Sequence, residues 1–226
     1  MALAARTADL VFTAQSDLQE ALAFTRDLKA RAARHGRDPN HVKIMPGLMT
    51  IVGRTEEEAQ EEYMTLQRLI ADEDAMRLLS RLCGDLDIHA FPLEAPLPEL
   101  PPSNAAKARQ RHIMEKAKRE NLSIIEVARY LGTSLGHQLL VGTPSRIVDT
   151  MQDWVAAGAC DGFTLMFPYY PKPLEEFVDL VVPELQKRDL FRTEYAGRTL
   201  RDHLGLPTPA NRFAAASPGA EKPVDA

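Results

Sequence analysis

The near-continuous apolar run from His41 to Val52, with Val42, Ile44, Met45, Leu48, Met49, Ile51 and Val52, most restricts what this chain can fold into. A strand with one wet face alternates polar and apolar residues. A run this apolar has to be covered on both faces, the pattern of a parallel sheet with helices over it. The flanks agree. Ala8–Ala14 reads as a shorter buried strand, Ser16 and Gln19 have capping-box spacing, and Asp17 to about Arg34 puts Leu18, Ala21, Leu22, Thr25, Leu28 and Ala32 on one helical face before Gly36. Beyond the long run, Thr55 and Glu58 form another capping box. Glu56, Glu57 and Glu58 suit the positive end of a helix dipole, and that helix is expected to run to about Leu82.

The remainder continues the alternation with one interruption. Pro92, Pro96, Pro98, Pro101 and Pro102 exclude regular structure over residues 84–102. A basic helix follows from Asn104 to Glu120, then a short one capped by Ser123 with Glu126 and ending near Gly132. Thr143 and Pro144 mark another helix start, with Ile147, Val148, Met151, Trp154 and Val155 as its stripe and Gly158 as its stop. Asp161–Phe167 reads as a third buried strand. Leu174, Phe177, Val178, Val181 and Leu185 mark a last helix, kinked or restarted at Pro183, and residues 208–226 are expected to form a disordered tail. Strands alternating with helices predict an α/β fold with parallel strands.

Composition narrows the function. Lys plus Arg number 27 against 32 Asp plus Glu, a net charge of −5 that argues against nucleic acid or an anionic membrane as partner. No stretch is apolar enough to span a bilayer, and the opening Met1–Arg6, followed by Asp9, makes a poor signal peptide. Cys83 and Cys160 lie far apart without a CxxC motif, which reads as two core residues in a reducing, cytoplasmic protein. The six histidines show no HExxH or paired spacing, so no metal site is expected, and His137 reads as a hydrogen-bonded structural residue. GxGxxG, GxSxG and Cys–His signatures are absent.

The ordered series Val141-Gly142-Thr143-Pro144-Ser145-Arg146-Ile147-Val148-Asp149, Trp154 and Gly158-Ala159-Cys160-Asp161-Gly162-Phe163 resembles the helix and final strand of luciferase-like flavin monooxygenases. Phe177–Gln186, Leu190-Phe191-Arg192, Tyr195, Gly197–Arg201 and His203–Leu206 are similar to the ending of the branch that includes the nitrilotriacetate and dibenzothiophene-sulfone enzymes. Ala4–Phe12 and residues 41–53 resemble the family's sixth and seventh strand regions. The resemblance implies a partial TIM (β/α)8 barrel, approximately its last three strands, over residues 1–207 with a helical insertion at about 84–136.

It further implies an FMNH2-dependent oxygenase acting on a small organic substrate, with FMN as reduced co-substrate and a flavin reductase as partner. The family's phosphate loop precedes the segment resembled by Ala4-Ala5-Arg6, so weak or no FMN binding is expected of these residues alone. The competing reading is a non-catalytic barrel fragment or interaction module that works only with a missing N-terminal half or as a homo-oligomer. Strand C-terminal ends carry a barrel's chemistry. They give the substrate-pocket candidates Thr13, Gln15, Met45 (or Met49), Tyr169 and Tyr170, with Phe167 beside them. Pro168 and Pro173 describe a surface turn for the two tyrosines equally well. The inner face is expected to be Val11, Ile44, Leu48 and Leu165. The insertion, if it lies near the barrel mouth, is expected to act as a lid.

Overall fold

The computed structural model describes residues 1–100, 107–209 and 211. A short helix α1 (Ala2–Thr7) leads into β1 (Leu10–Thr13) and α2 (Leu18–Arg34). The N-cap of α2 is Asp17, whose carboxylate accepts from the Gln19 and Glu20 amides, and not Ser16. The ionised carboxylate one residue on accepts from two orphan amides at once.

Next comes β2 (Lys43–Val52), the hub of the sheet, to which every other strand pairs in parallel. Leu10–Thr13 align with Lys43–Pro46, and β4 (Thr164–Met166) aligns with Gly47–Met49. A fourth strand that the sequence reading did not anticipate, β3 (Gln138–Gly142), aligns with Leu48–Val52.

The single helix expected after β2 is two, α3 (Glu56–Leu69) and α4 (Asp72–Leu82), parted where Ile70 and Ala71 turn extended. Asp72, Glu73 and Asp74 then form a second acidic first turn. With α5 (Lys107–Glu120) and α6 (Ile124–Ser134), α4 encloses a satellite core of Met76, Leu79, Cys83, Ile113, Ile124, Val127 and Leu131. The proline-rich stretch is tied into that core: Ile88 and Leu97 are buried, and the Ala95 and Leu93 carbonyls accept from the Ile124 and Ile125 amides. The chain then runs through α7 (Pro144–Ala156), α8 (Lys172–Glu176), a π-helical turn (Phe177–Val181) and α9 (Val182–Lys187). Expected as a kink at Pro183, this irregularity is a wider turn just before it.

Three further cores sit between sheet and helices. Val42 and Ile44 meet Leu28, Ala32 and Ala5. Val52 meets Ile147, Val148, Phe177 and Val181. Trp154 packs with Ala21, Ala159 and Cys160. The Asp161-Gly162-Phe163 motif fastens them: the Asp161 carboxylate accepts from the Ile44 amide at 2.9 Å and pairs with Lys29 at 2.7 Å, while its own amide donates to the Ile44 carbonyl.

Residues from Glu194 onward form a separate unit. In it α10 (Leu200–His203) starts at a Thr199–Asp202 capping box, and the Tyr195 and His203 rings lie 4.6 Å apart. The expected tail falls mostly outside the described residues. Among those described, no helix is long and apolar enough to cross a membrane.

Candidate functional site

Side-chain parity on β2 decides which face can host chemistry. Ile44 and Val52 point into the helix-backed cores, and Leu48 shares their parity. Val11 and Leu165 likewise pack against helices. The expected inner face is therefore the outer one, a correction with a simple cause: an alternating pattern carries no sign, and a shift of one residue exchanges the faces. The opposite face carries Met45, Gly47 and Met49 with their register partners Phe12, Thr164 and Met166.

Onto this face folds His137, the residue just before β3. Its ring lies 5.2 Å from that of Phe12, and a Cβ on Gly47 would fall 2.5 Å from His137 Nδ1 and 3.0 Å from Met166 Sδ. Gly47 thus leaves the space the imidazole occupies. Leu135 and Gly136, both in the left-handed region at φ 51° and 78°, turn the chain sharply out of α6. The His137 amide donates to Ser134, and the Tyr130 hydroxyl donates to the His137 carbonyl. The histidine that the sequence left as a structural residue thus places its ring on this face; a glycine within an apolar strand was its only signal.

The candidates do not gather into one pocket. Thr13 has the helix-facing parity of Val11 and accepts a 3.4 Å hydrogen bond from Gln15. Met45 is on the inner face, with its Cε near Gly162, and Met49 is buried. Tyr170 is exposed, edge-on to Phe167. Tyr169 lies elsewhere, closing a groove of about 540 Å³ along α3 whose walls are Glu58, Glu61, Glu62, Thr65, Leu66 and Leu69, with Lys172.

Tyr169 donates to one Glu62 oxygen and Lys172 to the other; Lys172 also pairs with Glu176 at 3.3 Å. Burial and the Glu62 hydrogen bond push the Tyr169 phenol up to about 12. Burial works against ionising Glu62, but the Lys172 and Tyr169 hydrogen bonds prevail and hold its carboxyl below the usual range.

The same geometry tests whether the chain fits a flavin mononucleotide. The face around Gly47 carries Phe12, Met45 and Met166, but its space over the glycine is already taken by the His137 ring. Among the described residues, the helix N-termini that follow β1, β2 and β3 offer no open phosphate grip, being capped by Asp17, by Thr55 and by the Glu56 carboxylate, which accepts from the Thr143 amide. The described residues supply a wall, not a complete site.

The sequence profile of luciferase-like monooxygenases matches residues 1–161. The chain belongs to the luciferase-like monooxygenase family. It is 47% identical over 215 residues to N-acetyl-S-(2-succino)cysteine monooxygenase of Bacillus subtilis (strain 168), covering 94% of this chain and 49% of that protein. It is 44% identical over 213 residues to nitrilotriacetate monooxygenase component A of Aminobacter aminovorans, covering 94% and 47%. Among solved structures it resembles DmoA from Hyphomicrobium sulfonivorans, with a TM-score of 0.79, 25% identity and coverage of 90% and 42%. It also resembles the EDTA monooxygenase from Chelativorans sp. BNC1, at 0.68, 29%, 91% and 48%. This luciferase-like chain spans about half the length of the curated relatives it matches, a coverage that fits the C-terminal half of a partial barrel.

Proposed function

We propose that the chain forms the C-terminal wall of an FMNH2-dependent monooxygenase barrel, acting on a small organic substrate with reduced flavin from a separate reductase. The observation that carries this reading is the inner face of Phe12, Met45, Gly47, Met49, Met166 and His137, a largely apolar surface where the C-terminal ends of β1 and β4 meet the first two-thirds of β2. Bound reduced flavin supplies the oxygen-activating chemistry. These residues contribute shape, exclusion of water and one imidazole. Names of relatives support the substrate class: N-acetyl-S-(2-succino)cysteine carries a thioether and nitrilotriacetate a tertiary amine. "Component A" suits an oxygenase fed by a second protein.

The helical insertion supports a lid over this face. Arg111 on α5 reaches Glu20 in the first turn of α2, at 2.6 Å, and the insertion's last turn delivers His137 to Phe12.

Calorimetric titration with FMN and reduced FMN tests the reading on the chain alone and on the chain co-expressed with the N-terminal half of component A. Alone, weak or no binding is expected. Complemented, binding near the micromolar range is expected, about −8 kcal/mol. Tight stoichiometric binding by the chain alone overturns the shared site; a soluble complemented barrel that binds no reduced flavin overturns the oxygenase reading.

A further inference from the structure

Thioether sulfur is concentrated on one face of the sheet. Of the eight methionines, Met1 and Met64 are exposed, and Met76, Met114 and Met151 pack into the helical cores. Met45, Met49 and Met166 share the inner face, where Met49 and Met166 are register partners and Met45 stands two residues before Gly47. Neither thiol is with them: Cys83 lies in the satellite core and Cys160 packs with Trp154. The readily oxidised groups of the described inner face are therefore its thioethers.

Their access and aim differ. Met49 is 2% exposed, whereas Met45 and Met166 are half-buried. Met45 turns its methyl to Gly162, and Met166 turns its sulfur to the notch over Gly47. A Cβ on Gly47 would stand 3.0 Å from Met166 Sδ and 2.5 Å from His137 Nδ1, so sulfur and imidazole flank a space with no room for a methyl group. An oxygen added to that sulfur is polar as well as bulky, and it enters an apolar seat bounded by Phe12. Met166 is held in the ladder of β4 with β2, while His137 hangs on the left-handed turn of Leu135 and Gly136. Of the two, the ring is the one that yields.

We propose that Met166 is an oxidation site for hydrogen peroxide, and that its sulfoxide unseats His137 from the Gly47 notch. A sulfur lone pair attacks one peroxide oxygen, and the S–O bond forms as the O–O bond breaks. Sulfur loses two electrons to the peroxide, and the proton of the transferred oxygen joins the departing hydroxide as water. The last turn of the insertion is then freed from the sheet, and reduction of the sulfoxide by a thiol-driven reductase reseats it. Reduced flavin that meets dioxygen without passing oxygen to a substrate yields hydrogen peroxide. Supply of the oxidant at this face thus rests on the oxygenase reading, whereas the site itself does not.

The full chain treated with millimolar hydrogen peroxide, without flavin, tests this by peptide mass spectrometry and hydrogen exchange. Sulfoxide is expected at Met166 at least about tenfold faster than at Met49 and Met76. The Gly136 and His137 amides, which donate to the Ser134 hydroxyl and carbonyl, are expected to exchange about tenfold faster once Met166 is oxidised. The thermal midpoint is expected to fall by about 3 °C. M166L, which conserves volume, should hold both readouts steady under peroxide, and M64L should respond like the wild type. H137A should form the sulfoxide with no further fall in midpoint. Recovery of both readouts after treatment with methionine sulfoxide reductase needs no variant, and covers the case in which a substitution disturbs folding. A Met166 left unmodified after Met1 and Met64 have converted overturns the site. A Met166 sulfoxide that leaves both amides protected overturns the coupling to His137, as does an equal response in M166L. With no flavin present, failure of the oxygenase reading would change none of these outcomes.

Discussion

A single missing Cβ shapes the inner face. Gly47 costs its strand about 0.5–1 kcal/mol relative to alanine in a neutral position, and the seat it leaves takes the His137 ring. Gly47→Ala puts a methyl where nothing that size fits, so a destabilisation of about 1–3 kcal/mol is expected by urea unfolding. Gly47→Ala/His137→Ala should recover much of it. Simple additivity of the two changes would show that the ring does not depend on that seat.

The second residue-scale expectation follows from Tyr169, whose phenol is pushed up to about 12 by burial and by Glu62. Because the folded pKa is raised, the unfolded phenol ionises first. The contribution to stability is full below pH 10 and disappears as pH climbs from 10 to about 12. Absorbance titration should show two phenols ionising last, Tyr169 and Tyr130, which burial also pushes up to about 12. Tyr130→Phe isolates the first, and Glu62→Gln in that background should move it earlier; an unmoved midpoint would rule out the Glu62 contact. Burial likewise pushes the thiols up, Cys83 to about 11 and Cys160 to about 12, so neither is expected to react with a thiol reagent at pH 8 before unfolding.

Among elements, β2 and the helical insertion are built on different principles. β2 is anchored on each side: Leu10–Thr13 along its first half, β3 along its second, β4 at its centre and Asp161 at Ile44. The insertion stands on its own core, closed by α4, α5 and α6, and its links to the barrel helices include the Gln67–Thr133 hydrogen bond and the exposed Arg111–Glu20 pair. Leu131 is fully buried in that core. Leu131→Ala is expected to remove about 2–5 kcal/mol, and the loss should fall mainly on amides of α4 and α6 in native-state hydrogen exchange. Equal loss of protection in β2 would mean that insertion and sheet unfold as one body.

For the whole molecule, the decisive fact is a sheet covered by helices on one face and open in part on the other. Leu10 and Phe12 are 42% and 52% exposed, the residues of β1 that share the inner parity. A dye that fluoresces on apolar surfaces should bind the chain, and Leu10→Ser/Phe12→Ser should cut that signal at least about twofold while the far-ultraviolet spectrum is kept. An unchanged signal would place the open apolar surface elsewhere.

Much of this was legible in the residues. The apolar run at 41–53, the caps at Thr55 and Ser123, the Pro144 helix start and the Gly158 stop each depend on neighbours a few positions away, so local chemistry fixes them. The ordered VGTP and DGF passages carried the family. Three things needed the tertiary structure. Periodicity of two could not say which parity of β2 faces the helices. Gln138–Gly142 has no pattern of its own and becomes a strand because β2 extends past the end of β1 and offers unpaired amides and carbonyls there. The place of His137 depends on a glycine 90 positions earlier, and a contact across that separation exists only once β2 and the end of the insertion lie side by side.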